Sequence, residues 1–174
     1  MLKTILFTAS AALAVLLIYA ATRPDTFRVE RSERIKARPD KIFALINDLH
    51  SFNTWNPYER KDPAIKGQYG GSASGPGASY AWESDKVGTG SMTIQDSAPA
   101  RITMRLEFLK PFEANNIAEF ALRPEGDVTH VTWSMHGPAN FMSKLMQVFS
   151  LVDKMVGKDF ADGLANLKAI AEAR

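Results

Sequence analysis

Three histidines, His50, His130 and His136, and a scatter of carboxylates are the side chains best suited to metal or acid–base chemistry in this sequence. A zinc centre needs ligands that converge, with an outer shell to orient them. No His-Glu-x-x-His or comparable spacing occurs. On a strand over Val128–His136, His130 and His136 share one side with Thr132 and Ser134, while Val131, Trp133 and Met135 take the other. If the apolar side faces inward, both histidines face solvent. His50 stands beside the first helices, in an exposed or capping role. Glu107 with Glu119, and Asp153 with Asp159, are the carboxylate pairs that could share a proton, and such work needs a pocket with shifted pKa values. Glu107 falls opposite the apolar side of its strand. Asp153 and Asp159 are poorly aligned on a helix and read as surface charge or helix–loop contacts. No Gly-x-Ser-x-Gly elbow exists, and the glycines of Gly70–Gly77 lack a following Lys-Ser/Thr and precede a strand, so they form no phosphate loop. The absence of cysteine removes disulfides, thiol nucleophiles and thiolate metal sites. The expectation is therefore no catalytic residue, no metal and no cofactor.

Aromatic and methionine side chains carry the remaining signal. Trp55, Tyr80, Trp82, Met92, Met104, Phe108, Trp133, Met135 and Phe149 could line one interior and are the candidate ligand-binding residues. Methionine adapts to irregular shapes, and Trp or Tyr presents one polar atom inside an apolar wall. The same residues could equally fill an ordinary core.

The elements that would position them follow from periodicity. Strands are expected at Phe27–Ile35, Ala78–Ser84, Gly88–Gln95, Arg101–Leu109, Asn116–Leu122 and Val128–His136, separated by turn compositions at Asp96–Ala100 and Pro124–Asp127. Along Arg101–Leu109, Ile102, Met104, Leu106 and Phe108 share a face that a one-residue slip would exchange for two arginines and a glutamate. Pro39-Asp40 opens a short helix, Asp48 caps a second, and Pro57 stops it. Gly67–Gly77 reads as a loop or a loop around a short strand. From Phe141 onward, with Asn140 as cap, three- and four-residue steps predict one long amphipathic helix. Gly157 and Gly163 within it permit a bend or close approach to the sheet.

At 174 residues, with 45% apolar and 23% charged residues, the chain can form one cored domain plus an extra segment. A net charge of +2 lacks the basic footprint of a nucleic-acid binder. Between Lys3 and Arg23 no residue is charged, and the run reaches roughly 28 Å against a hydrocarbon core of about 30 Å. Residues 1–22 are expected to be an uncleaved single-pass anchor or signal, with a secretory signal or a buried helix as alternatives. Basic residues after the span lean slightly towards a cytoplasmic domain, 23–174.

The order strand, two short helices, antiparallel strands, long helix resembles the START-like (SRPBCC) superfamily, the helix-grip fold, in its polyketide cyclase/dehydrase branch. Ala37–Ile46 is similar to that family's opening helix, Phe52–Tyr58 to its Trp-x-Pro-aromatic segment, and Asp159–Lys168 to its closing helix. The resemblance implies an α+β fold in which a curved antiparallel sheet wraps a long C-terminal helix. It leaves function open, because one scaffold hosts carriers, receptors and enzymes. The leading expectation is a membrane-anchored, non-catalytic binder of a hydrophobic small molecule or lipid, supported by ~0.8 kcal/mol per buried methylene. The alternative is a cyclase/dehydrase-like enzyme, which needs an inward ionisable group such as Tyr80, Glu83 or Glu119. A surface interaction module, with a filled interior and an exposed apolar patch, is a third.

Overall fold

The computed structural model describes residues 2–139, 144, 145, 148 and 151–173. Helix α1 (Leu2–Ala21) leads into strand β1 (Thr26–Ile35), then α2 (Pro39–Asn47), α3 (Leu49–Trp55) and α4 (Pro57–Lys61). Six further strands follow: β2 (Lys66–Gly71), β3 (Ala78–Ser84), β4 (Gly88–Ala98), β5 (Arg101–Lys110), β6 (Ala114–Glu125) and β7 (Val128–Pro138). The long helix α5 (Leu151–Glu172) closes the fold. All seven strands form one antiparallel sheet in the order β1-β7-β6-β5-β4-β3-β2. This is the α+β helix-grip architecture that the sequence predicts.

Alternation places the strands as expected. Ile102 and Met104 on β5, Ala118, Phe120 and Leu122 on β6, and Val131, Trp133 and Met135 on β7 are buried on the inner face. Proline at the first turn starts α2, and the Asp48 carboxylate caps α3 by accepting from the His50 backbone N–H at 2.9 Å. Pro57 does end α3, but it also opens α4, a helix that periodicity does not reveal. The same fixed φ that stops one helix suits the first turn of another, here capped by Asn56.

Helix α5 packs on β1 and β7 and against α2–α4. Phe160, Leu164, Leu167 and Ala171 are its buried side. Arg31 on β1 grips Asp153 at 3.0 Å, and Lys168 reaches Glu33 at 2.7 Å. The two glycines serve close approach: a Cβ on Gly163 would lie 2.7 Å from Trp133, and one on Gly157 would strike the Arg31 guanidinium. The expected helix start at Asn140 and Phe141 lies outside the described residues.

The single-pass anchor is a correction. Among the described residues no helix is long and apolar enough to cross a membrane, so the membrane partner for residues 1–22 and the cytoplasmic lean are not retained. A span needs roughly 20 apolar residues in one helix, and the 20 residues of α1 include Lys3.

Candidate functional site

The inner face of the sheet is the candidate site. Along Ala78–Trp82, Gly90–Ile94, Ile102–Phe108, Ala114–Leu122 and Thr129–Gly137, the inward positions carry no Asp, Glu, Lys, Arg or His. The inward charges lie on edge strand β1, where Arg31 and Glu33 are committed to α5. Trp55, Tyr80, Trp82, Met92, Met104, Trp133 and Met135 are buried in one cluster, with Phe108 packed half-buried against it. Phe149 lies outside the described residues.

These side chains divide into two regions. Beneath α3 and α5 the interior is filled ring on ring. Trp133 stacks on Phe160 at 4.0 Å and 7°, meets Phe120 at 5.0 Å and stands edge-on to Trp55 at 5.8 Å. Trp55 donates its indole N–H to the Leu45 carbonyl at 2.9 Å, which fixes the ring. Towards the far end of β3–β6 the wall is thinner. Trp82, Met92, Leu106, Phe108 and Asn116 line it, and Leu106 and Phe108 keep partial exposure. Phe27 on β1 and Gly137 on β7 continue this end of the face.

Two glycines shape the thinner region. A Cβ on Gly90 would sit 2.7 Å from the Trp82 ring, and one on Gly137 would strike Asn116 Oδ1. Trp82 and Asn116 therefore lie down along the sheet rather than standing off it. Among the described residues, Trp82 Nε1, Trp133 Nε1 and Asn116 Oδ1 are buried without a hydrogen-bond partner. Asn116 is absent from the sequence candidates, although its parity with Phe120 and Leu122 on β6 is the signal that marks it as inward.

Tyr80 is the inward ionisable group of β3, and its hydroxyl donates to Glu59 Oε1 at 2.5 Å. Burial and the neighbouring Glu59 carboxylate raise its pKa far above the ordinary tyrosine value. Tyr58 is pushed the same way by burial and by Asp159. Both phenols are thus poor acids near neutrality. Because their folded-state pKa values are raised, the stability they contribute is intact below about pH 10 and is lost as pH rises beyond it. A spectrophotometric titration is expected to show incomplete phenolate formation above pH 10 until unfolding releases the remainder; full ionisation in the folded protein would contradict this placement.

The polar residues considered for chemistry sit elsewhere. His130 and His136 lie on the outer face, and His50 stacks on Tyr69 at 3.7 Å. Glu107 and Glu119 face outward and pair with Arg105 and Arg101, while Asp153 and Asp159 pair with Arg31 and Lys61. No group of residues that could hold a metal ion occurs among the described residues. Two surface hollows, about 320 and 200 Å³, flank Tyr69 at the β2–β3 edge and are lined largely by glycine, serine and alanine.

Residues 26–172 match the family model for polyketide cyclase/dehydrase and lipid transport proteins. The chain belongs to that family. No curated protein matches the sequence. Among solved structures, KanY aligns at 16% identity and TM-score 0.61 over 85% of this chain and 99% of its own. Protein CV1439 from Chromobacterium violaceum aligns at 14% and 0.60 over 87% and 100%. DynU16, a protein of the dynemicin biosynthetic locus, aligns at 16% and 0.57 over 87% of this chain and 48% of its own. At such identities the likeness establishes the fold alone. Membership of a polyketide cyclase/dehydrase and lipid transport family points to a domain that binds hydrophobic molecules.

Proposed function

We propose that this polyketide cyclase/dehydrase and lipid transport family member holds a hydrophobic small molecule or lipid without transforming it. The uncharged inner face spanning β3–β7 is the observation that supports this most directly. Apolar area alone provides roughly 25 cal/mol per Å² on burial, so a long ligand needs few polar contacts. Trp55 and Trp133 form the filled floor. Tyr80, Trp82, Met92, Met104, Phe108 and Met135 provide the wall, with Phe149 as a further candidate. Residues 23–174 are the binding domain, and residues 1–22 are a separate segment; Phe7 and Ile18 of α1 remain 76% and 67% exposed, which supports that division.

The enzymatic reading would rely on the Tyr80–Glu59 pair. It is less well supported, because the phenol is held protonated and already engaged. Mass spectrometry of an organic extract of the purified full-length protein tests the proposal. The expected result is an apolar compound near equimolar with protein. An extract no richer than that of an unrelated protein purified alongside would overturn it.

A further inference from the structure

Two wall residues are polar, more than nine-tenths buried and incompletely bonded, and their significance rests on the binding role proposed for this face. Trp82 is 8% exposed and Asn116 is 5% exposed, and among the described residues Trp82 Nε1 and Asn116 Oδ1 have no hydrogen-bond partner. Among the described residues the other amide atom, Asn116 Nδ2, meets only the Met135 sulfur at 3.9 Å, a weak acceptor. Either rotation of the amide therefore leaves a strong hydrogen-bonding atom without a strong partner. Buried polar groups are rarely left so, since water or another protein group normally satisfies them. Trp133 Nε1 shares the condition, but its ring is stacked under Phe160 in the filled floor. Trp82 and Asn116 instead flank the apolar strip of Leu106, Phe108 and Met92 at the thinner end.

Their spacing and charge environment define what could join them. Trp82 is on β3 and Asn116 on β6, three strand spacings or about 14 Å apart at the backbone. The indole, lying over Gly90, covers about one spacing, but the Asn116 amide leans the other way, over Gly137 of β7, so the gap remains about 14 Å once the two-residue offset along the strands is included. No cation faces inward from β3–β7, so a carboxylate or phosphate placed between them would find no counter-charge on these strands. We infer that Trp82 and Asn116 select the ligand, which is an uncharged, elongated apolar molecule with a carbonyl-type acceptor at the Trp82 end and a hydroxyl-type donor at the Asn116 end. Trp82 Nε1–H donates to the first and Asn116 Oδ1 accepts from the second.

The test compares three flexible eleven-carbon probes on the delipidated full-length protein. One carries a ketone near one end and a terminal hydroxyl, one is the plain alkane, and one has the hydroxyl end oxidised to a carboxylate. Calorimetry is expected to give the hydroxy-ketone about tenfold higher affinity than the alkane, and the keto-acid no advantage. Asn116→Leu keeps the volume and Trp82→Phe removes the donor together with part of the ring, and each is expected to weaken the hydroxy-ketone about three- to tenfold more than it weakens the alkane. Among the three indole N–H signals in the amide-correlation NMR spectrum, the one missing in Trp82→Phe is expected to shift with the hydroxy-ketone only. Equal affinities for hydroxy-ketone and alkane would overturn the selection role while leaving the binding reading intact. Failure of every probe would also overturn it, and an empty organic extract would then remove the binding reading as well.

Discussion

Trp133→Ala is expected to lower unfolding free energy by about 3–5 kcal/mol, the range for removing a fully packed tryptophan. The indole stacks on Phe160 and touches Phe120, Trp55 and Phe52, which come from α5, β6 and α3. Its loss leaves a void at the junction of three elements. Collapse is resisted because Trp55 is held by Leu45 and by the Asn166 side chain, which donates to the Trp55 carbonyl at 3.1 Å. Trp133→Phe is expected to cost less than half as much, since the lost Nε1 has no partner to strand. Denaturant unfolding of both variants measures the difference. A loss below about 1 kcal/mol for the alanine variant would mean that this cluster is not the floor of the domain.

Leu106→Glu is expected to reduce retained apolar ligand by about tenfold or more, equivalent to at least ~1.4 kcal/mol of binding. Leu106 faces inward on β5 between Met92 and Asn116, and no inward position of β3–β7 carries a cation to pair a carboxylate. Because the residue is only half-buried, the new charge can turn towards water, and the fold is expected to survive with a loss of about 1–3 kcal/mol. Glu119→Gln, on the outer face, is the control and leaves retention unchanged. Quantifying extracted ligand per mole of folded protein decides the matter. Undiminished retention in the Leu106 variant would place the ligand elsewhere, with the hollows beside Tyr69 as the next region to examine.

The contrast between these two variants reflects the two regions of the inner face. Under α5 the aromatic rings satisfy one another, so substitutions there act on stability. At the far end of β3–β6, Leu106 and Phe108 keep partial exposure, so substitutions there are expected to act on the proposed ligand.

Much of this was legible in the linear pattern. The face of β5 followed from alternation, because any other register buries Arg101, Arg105 or Glu107. The outward histidines followed from the same parity on β7, and the close-packing role of Gly163 was among the options for a glycine in an otherwise good helix. Local chemistry, proline geometry and side-chain period, determined these without reference to the rest of the chain. The exception is α1, where an uncharged run predicts a membrane span, yet among the described residues no helix is long and apolar enough to cross a membrane. Tertiary structure alone decided which inward residues are sealed under rings and which lie on a thin wall. It alone brought Glu59 to Tyr80 across 21 positions, and laid Trp82 and Asn116 flat over glycines of neighbouring strands. Periodicity reports which way a side chain points, whereas its partners depend on which distant strand or helix arrives opposite it. That is set by the packing of the whole sheet against α5.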